Sequence, residues 1–291
     1  MHKLKHRFKP RAKHRVHHHQ QARRRARNAL LTTAAICCAA FGLARAEAGV
    51  APHAVDAKRS GESREARLAR WQESFDAFAA ADRAHPPVAG GVLFVGSSSI
   101  RLWDSLESDF LSLQVVTKRG FGGSRLSDCS EQVARLVLPY RPSVVIVYAG
   151  DNDLAEGATP QEVAASFVNF VAAVRKELPD TRIAYLSIKP SPLRAALIER
   201  IRQTNALIEA YSATLPNLDY IDIYSKMIDA DGRPRAELFR PDMLHLNRSG
   251  YSLWRTEIAS HLREPAAGAS NLVNAPAVPT LAVGAAPRAA H

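Results

Sequence analysis

The chain has three cysteines in 291 residues, too few for a fold stapled by disulfides. Cys37 and Cys38 lie in an N-terminal stretch that reads as removable, which would leave Cys129 alone as a small buried or half-buried filler. Neither Cys37 nor Cys38 has Leu three places before it and a small residue just before it, so lipidation is not expected. Acidic residues are missing from residues 1–46, which hold 12 of the 39 Lys and Arg; the rest of the chain carries 27 bases against 28 acids. The formal charge of +11 therefore belongs to the leading segment and gives no ground for expecting a nucleic-acid partner. Internal repeats and a long hydrophobic lid insertion are also missing, the latter an argument against a long-chain lipase. At 46% hydrophobic content the chain is not wholly disordered.

Residues 1–28 hold Lys or Arg at 11 positions, Ala29 to Ala44 carries no charge, and Ala44-Arg45-Ala46 follows as an A-x-A cleavage pattern. The apolar stretch is about 16 residues, short of the roughly 20 that a bilayer-spanning helix needs. A secretory signal peptide over 1–46 is expected, giving a periplasmic or secreted protein without a stable membrane span; the alternative is an uncleaved N-terminal anchor. His17-His18-His19 has the composition of a metal tract, but processing would remove it. Residues 47–61 and the Ala/Pro-rich 265–291 read as flexible segments, leaving one domain over 62–264.

Within that domain, Val92–Val95, Val144–Tyr148 and Ile183–Ile188 are near-continuous apolar or aromatic runs, the mark of parallel strands buried on both faces. Gln114–Thr117 and Leu218–Ile223 are shorter candidates. Leu68, Trp71, Phe75 and Phe78 give one amphipathic helix ending before Pro86-Pro87. Thr159, Pro160 and Glu162 form a capping box at the head of a stripe running from Val163 to Leu178. Ser191-Pro192 starts another helix carrying Leu197, Ile201, Ile208 and Tyr211, and the last carries Tyr251, Trp254, Ile258 and Leu262. The expected fold is α/β: a three-layer α/β/α sandwich around a flavodoxin-like parallel sheet of about five strands, with its site beyond the carboxyl ends of the strands.

That rule selects polar residues directly after buried strands. Gly96-Ser97-Ser98-Ser99, Gly120-Phe121-Gly122-Gly123-Ser124 and Ala149-Gly150-Asp151-Asn152-Asp153 pass, and Asp242-Met243-Leu244-His245 precedes the final helix. The glycine loop fails G-x-G-x-x-G because Arg125 occupies the last position, and the Asp151 loop fails as a calcium loop at Ala155 and Glu156. A serine nucleophile needs a base. His53 and His291 lie in the end segments, His85 adjoins prolines and His261 suits a helix C-terminus, which leaves His245, three residues after Asp242. Each signal alone has a bland alternative: a serine turn capping a helix, a tight glycine turn, a loop salt bridge.

Taken in order, the four blocks resemble the GDSL or SGNH hydrolases, especially bacterial members near the platelet-activating-factor acetylhydrolase type. The resemblance covers about residues 90–262. GSSSIRLW resembles the first block, GFGGS the second, Gly150-Asp151-Asn152-Asp153 the third and Asp242–His245 the last. It implies that Ser98 is the nucleophile, with Ser97 and Ser99 the neighbouring alternatives. It also implies that His245 is the base oriented by Asp242, and that the backbone N–H groups of Ser98 and Gly123 and the Asn152 side chain form the oxyanion hole. No metal and no cofactor is implied. Where the family has Asp in its first block this chain has Ser97, which puts in doubt a hydrogen bond that would hold the loop.

The expected activity is hydrolysis of short acyl or acetyl esters through an acyl-enzyme, the partner being a small-molecule, lipid or acetylated-glycan ester. An acyltransferase using the same intermediate and a non-catalytic glycan- or lipid-binding member of the fold are the alternatives. Lys189 and Arg194 follow the fourth strand on the same rim as possible contacts for an anionic substrate group. Trp103 and Arg101 follow the nucleophile and could line a cleft, but on a short helix Trp103 is expected to pack inward and Arg101 to be solvated.

Overall fold

Five short strands follow from the apolar runs: β1 (Val92–Gly96), β2 (Val116–Gly120), β3 (Val144–Tyr148), β4 (Arg182–Leu186) and β5 (Leu218–Ile221). The structure, a computed structural model, describes residues 63–113 and 115–263. The expectations for the targeting segment, for residues 47–61, for Gln114 and for the 265–291 segment lie outside the described residues. All neighbouring strands are parallel, in the order β2-β1-β3-β4-β5. β1 is buried throughout, and β3 and β4 are buried in all but their first residue.

The edge strand differs from its sequence reading. It runs on past Thr117 to Gly120 through Lys118 and Arg119, charged residues that the apolar pattern misses. Their polarity is accommodated at the edge: the Arg119 guanidinium lies 4.6 Å from the Tyr140 ring centroid and 5.1 Å from that of Phe78, and pairs with Asp82. β4 and β5 each stop two residues short of the apolar runs that announced them.

Alternation along the strands feeds two cores. Leu93, Val95, Val145, Val147, Ile183 and Tyr185 face one, closed by α1 (Arg64–Arg70), α2 (Gln72–Ala84), α5 (Leu126–Glu131), α6 (Val133–Leu136), α8 (Pro160–Glu177) and α9 (Ile198–Ser212). Phe94, Ile146, Tyr148, Ala184 and Leu186 face the other, closed by α3 (Ser98–Arg101), α4 (Leu106–Asp109) and α10 (Arg248–Arg263). A further short helix, α7 (Asp151–Ala155), follows β3. Trp103 is fully buried as expected, stacked on Tyr251 at 5.0 Å. The result is the three-layer α/β/α sandwich.

Local chemistry sets the helix ends. The Thr159 N–H donates to Glu162 Oε2 (2.7 Å) and the Glu162 N–H to Thr159 Oγ1 (3.2 Å), completing the capping box of α8. The helix expected from Ser191-Pro192 starts later. Pro192–Leu197 is a 3-10 turn with non-helical dihedrals at Arg194, whose side chain turns inward, and the Ser191 hydroxyl makes no cap. The single N-terminal helix is broken at Trp71 (φ −100°, ψ 3°), where the indole leaves the helix line to donate to the Gly122 carbonyl at 2.9 Å.

In this strand order, β1 and β3 flank the point where chain progression reverses, so loops leaving them diverge and open a crevice. Gly96 ends β1 with φ +153°, and a Cβ there would lie 1.9 Å from the Tyr148 carbonyl oxygen. Glycine is therefore required for the chain to turn out of the sheet beside β3.

Asp153, on α7, is buried and accepts the Leu126 N–H at 2.9 and 3.1 Å, tying the start of α5 to the loop after β3. Burial pushes its carboxyl up to about 7; the Leu126 hydrogen bond and the Arg125 charge offset only part of that. A carboxyl raised above its unfolded value of about 3.9 gives stability that is complete at low pH and lost as pH rises through about 7. In urea melts, Asp153→Asn should therefore gain on the wild type between pH 5 and 8, by on the order of a few kcal/mol. A difference independent of pH would contradict the assignment.

Candidate active site

Ser98 opens α3 immediately after the Gly96 turn. The turn is held by backbone bonds: Ser97 N–H to the Tyr148 carbonyl (3.0 Å), Phe121 N–H to the Gly96 carbonyl (2.9 Å), and Ile100 and Arg101 N–H to the Ser97 carbonyl (both 3.1 Å). The Ser97 hydroxyl, standing where the family pattern has Asp, is buried without a hydrogen-bond partner, so the loop is fixed by main chain instead. Ser99 is buried in the same way. Of the three serines, Ser98 alone lines the cleft.

The histidine comes from the loop before α10. One Asp242 carboxylate oxygen, Oδ1, accepts the N–H groups of Leu244 and His245, both at 2.9 Å, which closes a tight turn through Met243 at φ 55°. The other oxygen lies 2.7 Å from His245 Nδ1, and His245 Nε2 lies 3.0 Å from Ser98 Oγ. With Nδ1–H donating to the carboxylate, neutral His245 presents a lone pair at Nε2 to the serine hydroxyl. Partial burial opposes ionisation of Asp242, but the hydrogen bonds from His245 and Leu244 outweigh it and pull the carboxyl down to about 2. It is an anion throughout the range in which imidazole titrates.

Asn152 reaches the cleft from the second position of α7. Its Nδ2 donates to the Ser124 carbonyl at 3.0 Å, and its Oδ1 accepts from Arg194 Nη2 at 2.9 Å. A cation on the carbonyl side fixes which way the amide faces. Arg194 Nη1 lies 3.3 Å from Asp151 Oδ2, and Lys189 Nζ lies 2.7 Å from the same oxygen and 3.0 Å from the Tyr148 hydroxyl. Burial opposes the Asp151 charge, but Lys189 and Arg194 overcome it and hold the carboxyl at about 2. The backbone N–H groups of Ser98 and Gly123 have no hydrogen-bond partner among the described residues, and both residues line the cleft.

The cleft, of about 410 Å³, gathers the sequence candidates Ser98, Gly123, Asn152, Arg194 and His245. Lys189 is not among its walls. The expectation of a substrate contact there is corrected: the ammonium is 1% exposed and spent on Asp151 and Tyr148, because a cation at the end of a buried strand needs an internal partner. His261 lies elsewhere, with Arg182 and Asp219.

Sequence reasoning missed Arg70, Trp71 and Ser74, which line the cleft from α1, α2 and the break between them. Nothing in an amphipathic stripe says which loop its end will meet. Arg101 is exposed, as expected, and is also a wall of the cleft; the sequence reading places Asp151 in the third block but gives it no role there. Lysine at the end of the apolar run IAYLSIK was the available signal for a buried carboxylate partner. Among the described residues no three of His, Cys, Asp and Glu converge as metal ligands, and no helix is long and apolar enough to cross a membrane.

Known proteins resemble this chain in sequence and in fold. Residues 89–253 match the GDSL-like lipase/acylhydrolase family. The chain is 28% identical over 196 residues to platelet-activating factor acetylhydrolase IB subunit alpha1 of Homo sapiens, covering 63% of this chain and 78% of that protein. Against subunit alpha2 of Gallus gallus it is 26% identical over 214 residues, 69% of this chain and 84% of the other. In fold it is similar to a GDSL-like lipase from Bacteroides thetaiotaomicron, with a TM-score of 0.57 at 19% identity over 65% of this chain and 96% of that one. With more than half of its length matched to one family and the parallel sheet of its structural neighbours, the chain belongs to the GDSL-like lipase/acylhydrolase family and is an ester-hydrolysing enzyme.

Proposed function

We propose that the protein is an exported serine esterase that cleaves short acyl or acetyl carboxylic esters, with Ser98 as nucleophile, His245 as general base and Asp242 as the group that orients it. The observation that carries this reading is the pair of hydrogen bonds, 2.7 Å and 3.0 Å, joining Asp242 to His245 and His245 to Ser98. Ser98 Oγ attacks the ester carbonyl as His245 Nε2 takes its proton, and Asp242 stabilises the imidazolium. Charge accumulates on the carbonyl oxygen, and the N–H groups of Ser98 and Gly123 with the Asn152 amide are the donors placed to receive it. Collapse expels the alcohol, protonated by His245. Water, deprotonated by the same ring, then releases the acid and restores Ser98.

A cleft of about 410 Å³ without a lid insertion favours small acyl groups, in keeping with the acetylhydrolase named among the relatives. Small-molecule, lipid and glycan O-acetyl esters fall in this class. Residues 62–264 form the proposed hydrolase domain. Export rests on the basic stretch, the uncharged Ala29–Ala44 and the A-x-A pattern.

Ser98→Ala should abolish p-nitrophenyl acetate hydrolysis and fluorophosphonate labelling, and Asn152→Ala should lower kcat by about 10² to 10³; an Asn152→Ala enzyme within threefold of wild type would contradict the oxyanion assignment. N-terminal sequencing of the protein recovered outside the cytoplasm should begin at Glu47; an intact Met1 end would favour the anchored alternative.

A further inference from the structure

We propose that Arg101 and Arg70 form an anion subsite beside the nucleophile, so that the preferred ester carries a carboxylate or phosphate within a few bonds of its scissile carbonyl. The inference rests on the Ser98 reading above and adds a substrate class to it. Arg101 lies three residues after Ser98 on α3, a spacing that puts the two side chains on neighbouring positions of one helix face, about 5–6 Å apart at Cβ. Its guanidinium lies against Gly122 in the second block. A Cβ on Gly122 would meet Arg101 Nε at 2.8 Å and Cζ and Nη2 at 3.3 Å, so the missing side chain is what lets the guanidinium rest over this loop.

The Arg101 side chain makes no hydrogen bond or ion pair with any described residue. The other cations of the cleft are engaged. Arg194 is held by Asp151 and Asn152, and the Arg70 guanidinium sits 4.8 Å over the Trp71 ring. Trp71 in turn bonds the Gly122 carbonyl at 2.9 Å and packs edge-on to Phe121 at 5.0 Å. The break between α1 and α2 thus brings Arg70 to the loop that Arg101 covers. Among the described residues that line the cleft none is a carboxylate. A planar guanidinium with unused donors is suited to a carboxylate or phosphate, whose oxygens it can take in pairs. The N-terminal helices that supply Arg70 and Trp71 precede the family-matched region of 89–253, so this wall is an addition to the part of the chain that carries the nucleophile and base.

The test is a charge series of acetyl esters: 4-acetoxybenzoate and 4-acetoxyphenyl phosphate as anions, 4-acetoxybenzamide as the neutral control and (4-acetoxyphenyl)trimethylammonium as the cation. Intrinsic reactivity cancels when the anionic-to-neutral ratio of kcat/KM is compared between enzymes. Arg101→Gln should lower that ratio by about three- to tenfold, mainly through KM. Arg101→Lys should recover part of it, Arg70→Gln should lower it less, and salt of about 0.5 M should shrink the wild-type ratio. Whichever anionic ester shows the larger loss identifies the anion. Inorganic phosphate should also slow fluorophosphonate labelling of wild type more than of Arg101→Gln. If Arg101→Gln labels normally and keeps the wild-type ratio, the subsite is overturned and the Ser98 reading stands. If wild type hydrolyses none of the four esters and is not labelled, both are overturned.

Discussion

The approach of Gly96 to the Tyr148 carbonyl is the constraint on which the site depends. A Cβ at Gly96 would fall 1.9 Å from that oxygen, a distance no side chain tolerates, so the residue ending β1 must be glycine if the chain is to turn there. Because it is, Ser97 can donate to Tyr148 across the point where β1 and β3 part. Ser98 then stands at the mouth of the crevice while Ser97 and Ser99 face inward. The same strand order sends the loop after β2 past one side of Ser98 and the loop after β3 past another. The glycine loop and Asn152 arrive by topology, without any long-range search by side chains.

Behind the site lies an unusual concentration of buried charge. Lys189, Arg194 and Asp151 are each 5% exposed or less, and two cations share one carboxylate. Burying such groups is costly unless each finds a partner, and the arrangement supplies one for each: Tyr148 and Asp151 for Lys189, Asp151 and Asn152 for Arg194. A buried ion cluster is weak evidence of stability, since apolar packing can do as well. Its consequence here is geometric. Arg194 fixes the face that Asn152 turns to the cleft, and an excess of positive charge lies behind the place where, on the proposed mechanism, negative charge develops.

Much of this was legible in the sequence because it rests on local rules. VLFV and VVIVY announce doubly buried strands, Thr159-Pro160-x-Glu162 announces a helix start, and the four polar blocks follow the strand ends that an α/β sheet uses for its site. Asp242 and His245 could be paired because their contact is made within one turn. What was not legible depends on tertiary partners. β2 hides behind Lys118, whose ammonium donates to the Trp103 carbonyl, and Arg119, which is satisfied by Phe78, Tyr140 and Asp82, all distant in the chain. Lys189 reads as a rim residue until Asp151 is known to lie beside it. Trp71 reads as one more apolar position of a helix, and only the Gly122 carbonyl explains why the helix breaks there. The resemblance to the family supplied Asn152 and Gly123, which spacing alone left among ordinary turns.

On the proposed mechanism the hydroxyl 3.0 Å from His245 is the one that becomes acylated. Acid quenching of the enzyme during steady turnover of an acetyl ester, followed by peptide mass spectrometry across Val92–Trp103, tests it most directly. An acetyl group should appear on Ser98 during turnover and be missing from protein quenched before substrate is added. An acetyl group on Ser97 or Ser99, or turnover with no acylated intermediate on this peptide under any quench time, would contradict it.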